Sequence, residues 1–159
     1  MGNNASLVDT LLQHLSIAFK IRDLGAPSFF LGIETIKTGG TLLLSQRRYM
    51  RDLLKRAGMT ECKPLATPAA VTQAVSLATQ PFENPTQYQR LVGALQYLTI
   101  TSMDLSYSVN RLYQFIHAPT DEHWGLLKRV LRYVKGTLDL GLRLSRSGSA
   151  DIHAFSDSD

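Results

Sequence analysis

The sequence predicts an α+β chain in which one β-hairpin and several amphipathic helices share a core. Three observations carry this. Two apolar runs, "FFLGIETIK" at 29–37 and "TLLLS" at 41–45, flank Gly39-Gly40, a two-residue connection of the kind that needs positive φ. From 86 to 136 apolar residues recur at helical spacing, with breaks only near 102 and Pro119. Between these two parts, residues 60–85 hold four prolines and little periodicity, the best linker candidate in the chain.

Each element has a local signal. Ser6-Leu-Val-Asp9 reads as a capping box, and Leu7, Leu11, Leu12, Leu15 and Phe19 continue it as a helix that gives way near Gly25-Ala-Pro27. Residues 29–37 read as one strand and 41–45 as its partner. Ser45 caps a helix over 46–57 with an apolar stripe of Met50, Leu53, Leu54 and Ala57, and Gly58 stops it. Three helices follow, over about 86–101, about 104–117, and from the N-cap Thr120 to Gly136. Short strands at 140–144 and 152–157 close the sequence. The implied division is 1–59, a linker over 60–85, a helical part over 86–138, and a terminal part over 139–159.

Bulk properties exclude several classes. A chain of 159 residues with 44% hydrophobic content suits one domain or two small pieces. The net charge of +4 is mildly basic and favours an anionic partner without naming one. Cys62 is the sole cysteine, so neither an internal disulfide nor a cysteine-based zinc site can form. The apolar runs are far short of a membrane span, and residues 1–20 lack a signal-peptide core. The expectation is a soluble intracellular protein, in cytoplasm, nucleus or mitochondrion, with no membrane partner.

Catalytic signals are sparse. No phosphate-cradling glycine loop is present, because Gly39-Gly40 sits inside a hairpin. No serine has a nucleophile-elbow context. His117 and His123 flank a Pro-Thr break without an evident third ligand, which fits surface or capping histidines and no metal site. No small-molecule substrate is implied. The chain ends on "HAFSDSD", where period-two geometry puts Asp157 and Asp159 on one face of a strand. Paired carboxylates of this kind are raw material for a magnesium site, but these two alone are too few.

Binding signals are richer. In the 46–57 helix, Arg47, Arg51 and Lys55 recur every four residues opposite the apolar stripe, beside Arg48 and Arg56. In the last helix Lys128, Arg132 and Lys135 line one side next to Arg129, while Trp124, Leu127, Leu131 and Val134 form the buried seam. A solvated face complementing the helix dipole accounts for such charges; phosphate contact is the sharper alternative. In the 86–101 helix, Leu91, Leu95 and Leu98 form a core stripe, with Gln89, Gly93 and Tyr97 at i, i+4 and i+8 roughly opposite. A glycine inside a helix costs about 1 kcal/mol relative to alanine and asks for a reason. Either a neighbouring helix or the sugar edge of a duplex needs the close approach, and residue types alone favour the helix.

The stretches "KIRDLGAPSFFLGIETIKTGGTLLLSQRRYMRDLLKRAGM", "YQRLVGALQYLTITSMDLSYSVNRLYQF" and "LLKRVLRYVKGTLDLGL" resemble, in order and spacing, the copia-type LTR-retrotransposon polyprotein. The matching region is the second half of its reverse transcriptase and the start of its ribonuclease H. Fragments of this kind also occur as uncharacterised plant mitochondrial gene models.

The resemblance implies that 1–59 ends the palm, 60–85 links, 86–138 forms thumb or connection helices, and 139–159 opens a truncated ribonuclease H domain. It implies that Phe30, Leu31, Gly32 and Ile33 correspond to the primer grip, and that Gln89, Gly93, Ala94 and Tyr97 track the duplex minor groove. Lys128 and Arg132 would add phosphate contacts. The polymerase motif Tyr-Val-Asp-Asp would fall just before residue 1, and Asp157 would be the first, orphaned ribonuclease H carboxylate. Magnesium serves the intact family enzyme; these residues would hold none unaided. The expected partner is RNA–DNA or DNA duplex, bound weakly and without sequence preference. A nucleic-acid-binding module kept by a host, or a non-functional relic, are the alternatives. One departure stands out: the family usually reads Thr-Arg-Pro-Asp where this chain has Thr101-Ser-Met-Asp104.

Overall fold

The computed structural model describes residues 4–21, 28–69 and 80–145. The cap of the first helix, α1 (Ala5–Ala18), lies two residues before the expected Ser6: Asn4 accepts the Leu7 N–H at 3.3 Å, and the Ser6 hydroxyl is spent on the Asn4 side chain. Its apolar residues repeat as expected yet none is buried, so this amphipathic face lies outside the core.

The stretch expected as one strand over 29–37 is two. Strand β1 (Phe29–Phe30) turns through Leu31 and Gly32 into β2 (Ile33–Thr38), pairing Phe30 with Ile33. Leu31 at φ 49° and Gly32 at φ 78° are both left-handed, as a type I′ turn requires. Leucine there is strained by about 1–2 kcal/mol, which is why its apolar side chain reads as strand and not as turn. The Gly39-Gly40 hairpin forms as expected, joining β2 to β3 (Thr41–Ser45) with Thr38 opposite Thr41. Within the expected 140–144 segment, β4 (Leu142–Leu144) pairs antiparallel with β3, giving a sheet ordered β1-β2-β3-β4. The expected strand at 152–157 lies outside the described residues.

The N-cap of helix α2 (Arg47–Arg56) is Gln46 and not the expected Ser45, whose hydroxyl nonetheless accepts the Arg47 N–H at 3.2 Å from the end of β3. It ends in a Schellman motif: Met59 N–H reaches the Leu54 carbonyl and Gly58 N–H the Lys55 carbonyl, with Gly58 at φ 67°. Residues 60–69 carry no helix or strand and are strapped onto the last helix.

Helix α3 (Pro85–Leu98) has proline in its first turn and an Asn84 cap on the Gln87 N–H at 3.0 Å. A 3₁₀ turn at Met103–Leu105 leads into α4 (Ser106–Tyr113), shorter than the expected 104–117 because Phe115 and Ile116 already bond three residues back. Helix α5 (Asp121–Gly136) is capped by Thr120. The core is helical: Met50, Leu53 and Leu54 of α2 meet Tyr88, Leu91, Leu95 and Leu98 of α3, Val109 and Leu112 of α4, and Leu127, Leu131 and Val134 of α5. The sheet contributes only the flanking Ser45 to the buried set, so Phe29, Phe30 and Leu31 are 51, 64 and 71% exposed.

Candidate nucleic-acid interface

Six α3 residues, Tyr88, Leu91, Val92, Ala94, Leu95 and Leu98, point into the core, and this fixes what the other side presents. At 100° per residue, Gln89, Gly93 and Gln96 fall within about 60° of one another on the solvent side, flanked by Thr86 and Arg90. No carboxylate interrupts that face. Gly93 is exposed, and a Cβ built on it would meet nothing within 4 Å. Helix packing, the reason that residue types alone favoured for this glycine, is therefore ruled out among the described residues. Gln96 was missed by the sequence reading, although its spacing of seven from Gln89 was a usable signal.

The other expected contact residues divide. Gln89 is exposed but anchored, its Nε2 donating to the Ile116 carbonyl at 3.0 Å. Ala94 is buried, and its carbonyl accepts the Tyr49 hydroxyl at 3.1 Å, so its methyl belongs to the core and not to the Gly93 face. Tyr97 is half-buried. Its hydroxyl donates to the Leu31 carbonyl, and its ring stands edge-on to Tyr49 with centroids 5.1 Å apart. A Cβ on Gly32 would sit 3.6 Å from the Tyr97 ring, an ordinary contact, so φ and not crowding calls for glycine there. Tyr97 thus pins the hairpin tip to α3. Phe30 and Leu31 are exposed beside it, and Gly32 and Ile33 are half-buried.

Beneath Tyr97 lies a fully buried polar pair. Gln46 donates through Nε2 to the Tyr97 carbonyl at 3.3 Å, and its Oε1 accepts the Thr101 hydroxyl at 2.7 Å. Asp104 accepts the Tyr133 hydroxyl of α5. Thr101 and Asp104 thus carry side-chain bonds to the interior and to α5. Their neighbours Ser102 and Met103 are half-buried and exposed.

The basic side of α5 is largely occupied. Arg132 donates to the Lys63 carbonyl at 2.8 Å, Arg129 to the Thr67 hydroxyl at 2.8 Å, and Lys135 to the Thr60 carbonyl, while Leu65 N–H returns to the Arg132 carbonyl. This stripe holds the segment from Thr60 to Thr67; Lys128 remains exposed beside it.

Titrating groups with displaced pKa serve packing. Burial lowers the His123 imidazole, which stacks on Phe115 at 3.8 Å and accepts the Thr120 N–H through Nδ1 at 3.1 Å, closing the α5 capping box. Its role is capping. Burial pushes Tyr88 up to about 12; the hydrogen bond to Asp104, with burial second, does the same for Tyr133. Among the described residues there is no group of three or more His, Cys, Asp or Glu that could hold a metal ion. Asp157 lies outside the described residues. No described helix is long and apolar enough to cross a membrane.

The hairpin tip is thus pinned to a helix that offers an open, glycine-centred face without a carboxylate. A family model described as reverse transcriptase (RNA-dependent DNA polymerase) matches residues 1–71. The retrovirus-related Pol polyproteins from transposons RE2 and RE1 of Arabidopsis thaliana are 46 and 45% identical to it, each covering 99% of this chain, which spans 11% of either relative. An uncharacterized mitochondrial protein of the same plant is 42% identical over 99% of this chain and 66% of its own length. No solved structure matches. The chain thus matches the reverse transcriptase family over residues 1–71 and is similar over nearly its whole length to retrovirus-related transposon Pol polyproteins.

Proposed function

We propose that these residues hold the template–primer of a retrotransposon reverse transcriptase and carry no complete catalytic centre of their own. The α3 face of Gln89, Gly93 and Gln96 lies against the minor groove of the duplex, where sugar edges are reached without reading sequence. The Phe30–Ile33 tip, pinned by Tyr97, positions the primer end. In this reading 1–59 closes the palm, 60–85 links, 86–138 is the thumb, and 139–159 leads into ribonuclease H with β4 docked on the hairpin.

The observation that carries the reading is Gly93: a helix-interior glycine, exposed, with empty space before it. Fluorescence anisotropy with labelled RNA–DNA hybrid tests it. Binding is expected to be weak, independent of sequence and steeply salt-dependent, because phosphate contacts release condensed counterions. Gly93→Leu is expected to weaken it by obstructing the groove while the fold survives. Unchanged affinity in Gly93→Leu overturns the reading. Primer extension and hybrid cleavage are expected to be absent; metal-dependent activity abolished by Asp157→Asn would overturn the catalytic part.

A further inference from the structure

We propose a second phosphate-binding surface, separate from the α3 face, where α2 meets the end of α5 and Arg51, Lys55 and Lys135 ring a cavity of about 440 Å³. Its ligand is the sugar–phosphate backbone of a nucleic acid strand, and only this choice of ligand rests on the function proposed above.

The sequence marks Arg47, Arg51 and Lys55 as a stripe, and the structure sorts four of the five α2 cations into two kinds. Arg47 is paired with Asp139 at 2.9 Å, and Arg56 with Asp52 at 3.0 Å. Arg51 and Lys55 are exposed and have no ion-pair partner among the described residues. Lys135 reaches the cavity edge bonded to the Thr60 carbonyl, a neutral group that leaves its charge uncompensated. Leu54 and Leu138 line the cavity. Of the two carboxylates at its rim, Asp52 is neutralised by Arg56, so three cations face the single carboxylate of Glu61.

Dipole complementation does not account for this set. The last α2 carbonyls are already taken by the Gly58 and Met59 amides, and dipole attraction fades within the final turn, whereas Arg51 lies a turn earlier. Arg51 and Lys55 are about 6 Å apart along the helix axis, so a polymer bearing a phosphate on every nucleotide can engage both together. The cavity offers no aromatic ring on which to stack a base, which points to backbone contact.

The test compares the full chain with R51A/K55A and with a charge-matched control on the sheet, K37A/R143A, by anisotropy with RNA–DNA hybrid and with single-stranded DNA across a salt series. The cavity variant is expected to reduce the slope of log affinity against log salt by about 2, roughly one for each lost phosphate contact. Its melting temperature is expected to stay unchanged, since neither side chain is packed, and the control is expected to keep the parental slope. Equal slopes in the two double variants overturn the proposal. Gly93→Leu, run in parallel, separates the two surfaces. Loss of binding there with a parental slope in R51A/K55A removes this surface and leaves the α3 face standing. A reduced slope in R51A/K55A with an indifferent Gly93→Leu supports this surface and removes the α3 reading.

Discussion

Replacing Gly93 by alanine should make this protein more stable and a poorer ligand-binder. The residue sits mid-helix in α3, is exposed, has no positive φ, and a Cβ there would meet nothing within 4 Å. Alanine therefore gains its full helix-propensity advantage, about 1 kcal/mol, with no steric cost. For a chain of this size that raises the melting temperature by about 2–4 °C. The same methyl projects from the centre of the face flanked by Gln89 and Gln96, where it keeps a duplex backbone away. Thermal unfolding followed by circular dichroism gives the first quantity, and anisotropy with RNA–DNA hybrid gives the second. Leu95→Ala calibrates the scale: Leu95 is fully buried, and the truncation should cost about 2–5 kcal/mol. A Gly93→Ala protein that is less stable than the parent would refute the reasoning, because something must then pack on that face. Higher stability with undiminished binding would show that the glycine is not kept for the ligand.

Stability should also fall on both sides of neutral pH. On the acid side, His123 is held below its ordinary 6.5, so its contribution is present above that value and lost as pH falls through the lower folded pKa. At the alkaline end, Tyr88 and Tyr133 are raised to about 12, so their contribution is intact below pH 10 and lost as pH rises through 12. Tyrosinate absorbance should show two of the six tyrosines titrating late, together with loss of helix signal, and Asp104→Asn should move one of them earlier. The absence of any tyrosine titrating near pH 12 would contradict this. Gln46→Leu should cost about 1–3 kcal/mol in urea unfolding by stranding the buried Thr101 hydroxyl, and adding Thr101→Val should recover part of it. Additive losses would show that the two side chains are not coupled.

The helices, the Gly39-Gly40 turn and most of the core are legible in the residues alone, because these follow from local periodicity and from backbone preferences within a few residues. Leu53, Leu91, Leu95 and Leu131 announce their burial by spacing alone. The sequence also marked the Gln89–Gly93 face, since a helix fixes which residues share a side. What it left open was decided by partners far along the chain. Leu31 reads as strand because leucine disfavours a left-handed turn, and a tip held by the Tyr97 hydroxyl, sixty-six residues away, overrides that preference. The apolar repeat of α1 reads as a helix, yet none of its residues is buried. Arg51 and Arg132 look alike in sequence, both basic on amphipathic helices. Only tertiary structure gives Arg132 the Lys63 carbonyl and leaves Arg51 exposed at an open cavity, because periodicity specifies the direction a side chain faces and not what stands there.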